Sequence, residues 1–411
     1  MLSIWLIVAL NTRDESDIET SSASDLSAAQ QIQRGAYLAR AGTCVSCHTE
    51  RGGAAYAGGS AIETPFGTVY AGNLTPDVKT GLGTWNSSHF WRAMHNGRSR
   101  DGRLLYPAFP YPQMTITTRQ DTDAIFMYLR SLPAVEKRNK NHALRWPYST
   151  QAALALWRAM YFKPAQHKLQ TQTQAIKSTL WNRGSYLVEG LGHCAACHSP
   201  LNALGATAVE SQFSGGTLLI DKWFAPSLLD TTQASVAHWS DAEIIDLLQT
   251  GIAKHGSVNG PMAKVVFTST QYLTNEDLLA MATYLRALPQ VSKKPVPVEF
   301  AEKGVMLRGG RIYEQHCASC HGEQGQGEDG VYSALNGNRA VMMQNTTNLV
   351  RIIISGGYAP ATENNPRPYG MPPLGHLLSD RDIAEVLSFI RQSFGNHAAT
   401  LSELEVMQAR H

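Results

Sequence analysis

The apolar positions of the chain fall into three similar closing segments. After Ser379-x-x-Asp382, residues Ile383, Val386, Leu387, Ile390 and Phe394 stand at i, i+3, i+4, i+7 and i+11, the stripe of an amphipathic helix. Thr118-x-x-Asp121 and Thr274-x-x-Asp277 open two more such runs as capping-box-like starts. Seven residues past the caps stand Ile125, Met281 and Val386, and ten past them stand Tyr128, Tyr284 and Phe389. The first two runs end in nearly the same words, Tyr128-Leu129-Arg130-Ser131-Leu132-Pro133 and Tyr284-Leu285-Arg286-Ala287-Leu288-Pro289, with proline as the stop. Their aromatic residues are expected to pack in cores.

Upstream lie three further apolar segments that read as helices begun at glycine: Arg34-Gly35-Ala36-Tyr37-Leu38, Arg183-Gly184-Ser185-Tyr186-Leu187 and Arg308-Gly309-Gly310-Arg311-Ile312-Tyr313. Each should pack against the closing helix of its own repeat. Between them the first two repeats match again, since Trp85 and Trp239 are each followed by glycine at twelve and seventeen residues (Gly97 and Gly102, Gly251 and Gly256). Leu74 and Leu228 precede those tryptophans by eleven. The third repeat offers Asn348–Gly356 as its middle helix. The pattern therefore predicts an all-α protein of three tandem domains. A length of 411 residues with 43% apolar and 17% charged positions agrees with several globular cores. A net charge of +2 excludes a nucleic-acid binder built on a broad basic face.

The six cysteines change the picture from architecture to chemistry. They occur only as Cys44-Val-Ser-Cys47-His48, Cys194-Ala-Ala-Cys197-His198 and Cys317-Ala-Ser-Cys320-His321, with 150 and then 123 residues between first cysteines. Zinc half-sites, thioredoxin-type pairs and disulfides use Cys-x-x-Cys or an even cysteine count, but the directly following histidine is the signature of c-type haem attachment. Two thiols on one turn can form thioethers to the two haem vinyl groups, and the adjacent imidazole then falls beneath the iron. The expected cofactors are three haem c groups, held by Cys44 and Cys47, Cys194 and Cys197, and Cys317 and Cys320, with His48, His198 and His321 as proximal ligands.

A thioether in the sixth position leaves an electron carrier, whereas an open position invites peroxide or another small ligand. Each repeat supplies one methionine in a proline- or glycine-marked loop before its closing helix: Met114, Met262 and Met371. Met94 competes with Met114 from a neighbouring helix. His193 and His316 directly precede attachment cysteines, which places them at the haem edge and not on its distal side. The expected set is three class-I cytochrome c domains whose irons carry His48 and Met114, His198 and Met262, and His321 and Met371. A peroxidase-like multihaem enzyme with one open iron and a free-standing electron shuttle are the alternatives.

Gly72-Asn73-Leu74-Thr75-Pro76-Asp77, Trp85 and the block Arg100 to Tyr111, together with three Cys-x-x-Cys-His units, resemble the three-haem cytochrome c subunit of bacterial membrane-bound dehydrogenases for alcohols, gluconate or aldehydes. Trp146-Pro147-Tyr148, Trp157 and Tyr161-Phe162 extend the likeness. The resemblance implies an electron-transfer subunit at the periplasmic face of the bacterial inner membrane, with no substrate chemistry of its own. Its implied partners are a catalytic dehydrogenase subunit (a quinoprotein, a flavoprotein or a molybdenum enzyme) and an acceptor, either ubiquinone or a terminal oxidase.

Composition places the boundaries at residues 1–29 for an apolar anchor or signal remnant and tether, 30–165 for the first domain with a strap from 134, 176–289 for the second and 300–396 for the third. Residues 164–178 and the stiff Pro289–Pro297 segment read as linkers. Met1 to Leu10 is apolar but shorter than the roughly 20 residues a bilayer span needs. Either the chain begins inside a longer signal or anchor, with the acidic, serine-rich tether after it favouring an uncleaved anchor, or the start is misassigned; attachment to the membrane would otherwise come through a partner or an amphipathic surface.

Overall fold

The computed structural model describes residues 9, 11, 25–164, 178–207, 209–218, 222–291, 298–328 and 330–410. The apolar leader, most of its tether and the cores of both linkers lie outside the described residues. Helices of seven or more residues are α1 (Ala28–Ala41), α2 (Ser87–Asn96), α3 (Arg119–Ser131), α4 (Gln151–Tyr161), α5 (Thr179–Ser185), α6 (Asp241–Thr250), α7 (Pro261–Thr268), α8 (Asn275–Arg286), α9 (Lys303–His316), α10 (Thr347–Ser355), α11 (Asp380–Gln392) and α12 (Glu403–Arg410). Short antiparallel pairings of two to four residues interrupt the otherwise helical chain.

Contacts divide the chain into two compact units, residues 1–212 with 272–284, and residues 213–271 with 285–411. The division runs through the second repeat and not around it.

In the first unit α1 crosses α3, burying Leu38, Ile125 and Leu129. A fully buried side chain of this size contributes about 1.5–3 kcal/mol. The expected glycine start is corrected here: α1 begins at Ala28 behind the cap Ser27, which forms a reciprocal capping box with Gln30, and Gly35 lies in mid-helix. A Cβ on Gly35 would collide with the backbone oxygen of Ala124, and one on Gly184 with that of Ala280. Glycine is needed where the helices touch backbone to backbone. From that glycine to the first cysteine is nine residues in the first repeat and ten in the second. The added residue is taken up in a π-helical turn, Tyr186–Leu191, that continues α5.

The strap leaves α3 at Pro133 and adds Ala143–Leu144 as a third strand to the hairpin of Ala61–Thr64 and Gly67–Tyr70, pairing Gly67 with Leu144. It then forms α4.

In the second unit α6 opens with a capping box of Ser240 and Glu243 and stops at left-handed Gly251. In the third repeat α9 crosses α11, and a Cβ on Gly309 would meet the backbone oxygen of Glu385. Tyr313, Val350, Ile353, Ile383, Val386, Leu387 and Ile390 form the core. Leu401 and Val406 join it from beyond residue 396, because α12 packs on α10 and α11 and is tied by Arg410 to Asp380 at 2.6 Å. Arg391, 2% exposed, is carried inside by donating to the carbonyls of Val341, Met343 and Ala399.

Candidate functional site

Each Cys-x-x-Cys-His segment folds as a single helical turn. Cys44–Cys47 follows Thr43, whose φ of 51° turns the chain sharply out of α1. The second turn, Ala195–His198, follows His193 with φ of 36°, and the third, Ala318–His321, starts from Cys317 at the end of α9. None of the six cysteines is joined to another in a disulfide. Burial pushes the Cys44 and Cys194 thiols up to about 12 and Cys317 up to about 11, so each is a neutral S–H.

His48 Nδ1 lies 2.7 Å from the carbonyl oxygen of Gly72, and His321 Nδ1 lies 2.8 Å from that of Ser333. A ring nitrogen facing a carbonyl carries the proton, which leaves Nε2 with its lone pair for a metal. Burial lowers the pKa of both imidazoles and keeps them neutral. Among the described residues no three His, Cys, Asp or Glu side chains gather as a metal site. One imidazole per motif therefore suits an iron whose remaining equatorial ligands come with a porphyrin. Trp239 also holds its indole N–H buried without an acceptor, as a cofactor carboxylate would require.

Met114 is 3% exposed and ends the one-turn helix Tyr111–Met114. Met262 is the second residue of α7, packed on Val258, Ala263 and Val266. Met371 pairs in register with Gly357 and leans on the third core. Met94 is buried on α2. His193 faces Thr43 Oγ1 at 3.3 Å beside the first motif, and His316 is exposed at the end of α9.

The first two motifs are held together by a reciprocal pair of hydrogen bonds. Tyr37 donates to Asp277 Oδ2 at 2.6 Å, and Tyr186 donates to Asp121 Oδ2 at 2.7 Å. Each tyrosine oxygen in turn accepts from the backbone N–H of the opposite helix cap, Thr274 or Thr118, at 3.2 Å. Arg183 binds Asp277 through two nitrogens, each at 2.7 Å, and Arg34 binds Asp121 at 2.6 Å. The two leading helices thus exchange tyrosines across a local two-fold relation. Cys47 and Cys197 are close enough that, beyond the effect of crowding by surrounding protein, Cys47 raises the Cys197 thiol further.

Three relatives align along nearly the whole chain. The alcohol dehydrogenase (quinone) cytochrome c subunit of Gluconacetobacter polyoxogenes is 37% identical over 92% of this chain and 84% of its own length. The gluconate 2-dehydrogenase cytochrome c subunit of Pantoea cypripedii is 33% identical over 100% of this chain and 95% of its own. The fructose dehydrogenase cytochrome subunit of Gluconobacter japonicus is 31% identical over 100% and 88%. The family model described as cytochrome c matches residues 32–133, 182–289 and 306–394. The chain belongs to the cytochrome c family.

Membership in the cytochrome c family implies covalently bound haem c, in keeping with cysteines outside any disulfide and with the fixed tautomers of His48 and His321. Two features of this cytochrome were not read from its sequence. The carbonyls of Gly72 and Ser333 orient histidines through backbone, which leaves no side-chain trace. The tyrosine exchange does leave one: Arg-Gly-x-Tyr occurs in the first two repeats, while the third has Arg311 at the tyrosine position.

The exchange gives this cytochrome an acid-sensitive joint. Burial works against ionisation of Asp277, yet hydrogen bonds from Arg183 and Tyr37 outweigh it and hold its carboxyl below the usual range. Stability from such a group is complete above its unfolded pKa, about 3.9, and is lost as pH falls through the lower folded value. The urea midpoint should therefore fall more steeply below about pH 4 in the native protein than in Asp277→Asn. Parallel slopes would remove Asp277 from the acid response.

Proposed function

We propose that the chain carries three haem c groups in three class-I cytochrome c domains, at residues 30–165, 176–289 and 300–396, the last closed by α12. It relays electrons from a periplasmic-side dehydrogenase acting on alcohols, aldehydes, sugars or sugar acids to ubiquinone or a terminal oxidase. The chain acts as an electron-transfer subunit and not as the catalytic one. The observation that carries the proposal is the threefold Cys-x-x-Cys-His turn, with the histidine tautomer fixed at both His48 and His321.

When bound, haem c supplies a one-electron iron couple. Cys44, Cys47, Cys194, Cys197, Cys317 and Cys320 would hold it covalently. His48, His198 and His321 would bind iron, with Nε2 left free for it at His48 and His321, and Met114, Met262 and Met371 would supply a thioether ligand each. Methionine raises the potential and keeps small ligands out. The Tyr37–Asp277 and Tyr186–Asp121 bonds hold the first two attachment turns side by side, which favours direct exchange between those two centres. Among the described residues no helix is long and apolar enough to cross a membrane, so contact with the periplasmic face of the inner membrane falls to the apolar leader, a partner subunit or a surface.

Intact-mass measurement of the protein matured in a bacterial periplasm should show three haem additions, and the double substitution Cys194→Ala/Cys197→Ala should leave two. A native protein with two would end the three-haem reading. Reduction of the haem absorbance by a co-purified dehydrogenase and its substrate checks the relay.

A further inference from the structure

Helix α4 is amphipathic in the wrong sense for a water-facing helix. Leu154 and Arg158 point inward, with 5% and 3% exposure, while the outer face carries Ala152, Leu156 and Met160 at steps of four. Leu156 is 47% exposed and Met160 51%. Tyr161 at the end of the helix, and Trp146 and Tyr148 just before it, are exposed as well, Trp146 at 82%. The buried charge has its own purpose. Arg158 donates to Asn11 Oδ1 at 3.0 Å, with its guanidinium over the Tyr111 and Phe162 rings.

Two further observations bear on what this face fits. Asn11 is fastened to α4 a second time through Ala155 O at 2.9 Å and is held by Arg98 through its own carbonyl. In sequence the apolar residues Met1–Leu10 directly precede Asn11, the residue bound to the helix that shows apolar side chains outward. The segment 134–163 contains six basic residues and one acid, Glu136. Lys137 and Lys140 pair with Glu50, while Arg138, Arg145 and Lys163 are exposed. Apolar side chains, interfacial tryptophan and tyrosine, and excess positive charge together match the boundary of an anionic bilayer.

We infer that the outer face of α4, flanked by Trp146 and Tyr148, docks on an anionic lipid surface next to the point where the apolar leader joins the fold. The inference rests on the membrane-side function proposed above and assigns it a surface. The face lies on the strap outside the three attachment turns, so it can bind lipid without disturbing them.

The test is co-sedimentation of the haem-loaded, full-length protein with vesicles of phosphatidylethanolamine and phosphatidylglycerol, compared with phosphatidylcholine vesicles. The native protein should prefer the anionic vesicles, and Leu156→Glu/Met160→Glu should lower partition by about tenfold or more. Trp146→Ala should lower it by a smaller factor. The haem spectrum, and reduction by the dehydrogenase in detergent, should be unchanged in both. Partition unaltered by the double substitution would overturn the inference. So would retained vesicle binding with loss of the co-purifying dehydrogenase, which would make α4 a protein-docking face. Lipid binding lost through the glutamates in a protein that no dehydrogenase reduces would instead uphold the surface and overturn the relay.

Discussion

Gly35→Val is expected to destabilise the first repeat by about 3 kcal/mol, the upper part of the range for overpacking a well-filled core. The magnitude follows from what the new side chain meets. At Gly35 the obstacle is the backbone of Ala124, with Tyr128 Cβ 2.9 Å away, so relief requires α1 and α3 to separate. Separation uncovers Leu38, Ile125 and Leu129, each at or below 1% exposure. Better helix propensity of the replacement returns at most a few tenths of a kcal/mol. Gly310 supplies the comparison. Its nearest obstacle is the Phe389 ring, at 3.2 Å, and a ring can turn aside, so Gly310→Ala should change stability by less than about 1 kcal/mol. Urea melts followed through the haem absorbance and the helical dichroism measure both. A Gly35→Val protein as stable as the native one would mean that the crossing can open without loss.

The same glycines show what a single sequence discloses and what it conceals. Their recurrence after arginine was legible, but they read as helix starts, because spacing along one chain carries no information about how near another backbone comes. The closing helices were legible in cap and stripe, and α10 ends at Gly356 as its sequence suggests. The three caps nevertheless do different things. Asp382 reaches back to the Ser379 N–H in a full capping box, whereas Asp121 and Asp277 turn away to the arginines and to the tyrosines of the exchanged pair. Cap grammar is local, and the competing partners lie 65 residues away for Tyr186 and 240 for Tyr37. That long-range pairing also explains why part of α8 counts with the first unit while Met262 counts with the second. The helix α12 was missed for another reason: its one fully buried residue is Val406, which makes no stripe. The three Cys-x-x-Cys-His words stood out in the sequence, because the chemistry proposed for them fixes residue type and spacing within five consecutive positions.

Met371→Leu should leave the third domain folded while changing the electronic state of the iron proposed for it. Leucine is close to methionine in volume, and such swaps in cores cost less than about 1.5 kcal/mol. The site is also held by features that the side chain does not supply, since Met371 pairs through its backbone with Gly357, and Gly356 leaves room for the Met371 carbonyl. What the substitution removes is the sulfur. If Met371 is the sixth ligand, one third of the ferric haem should turn high-spin, and the thioether-to-iron charge-transfer band should weaken by the same fraction. The midpoint potential of that centre should then drop by on the order of a tenth of a volt or more, part of the roughly 0.8 V that axial ligation commands. Added cyanide should bind the opened iron quickly, with His321 still fixed through Ser333 on the other side. Spectroelectrochemical titration beside a urea melt separates the two roles of the residue. A loss of stability with an unchanged spectrum would make Met371 a packing residue and send the search for the ligand elsewhere in the third repeat.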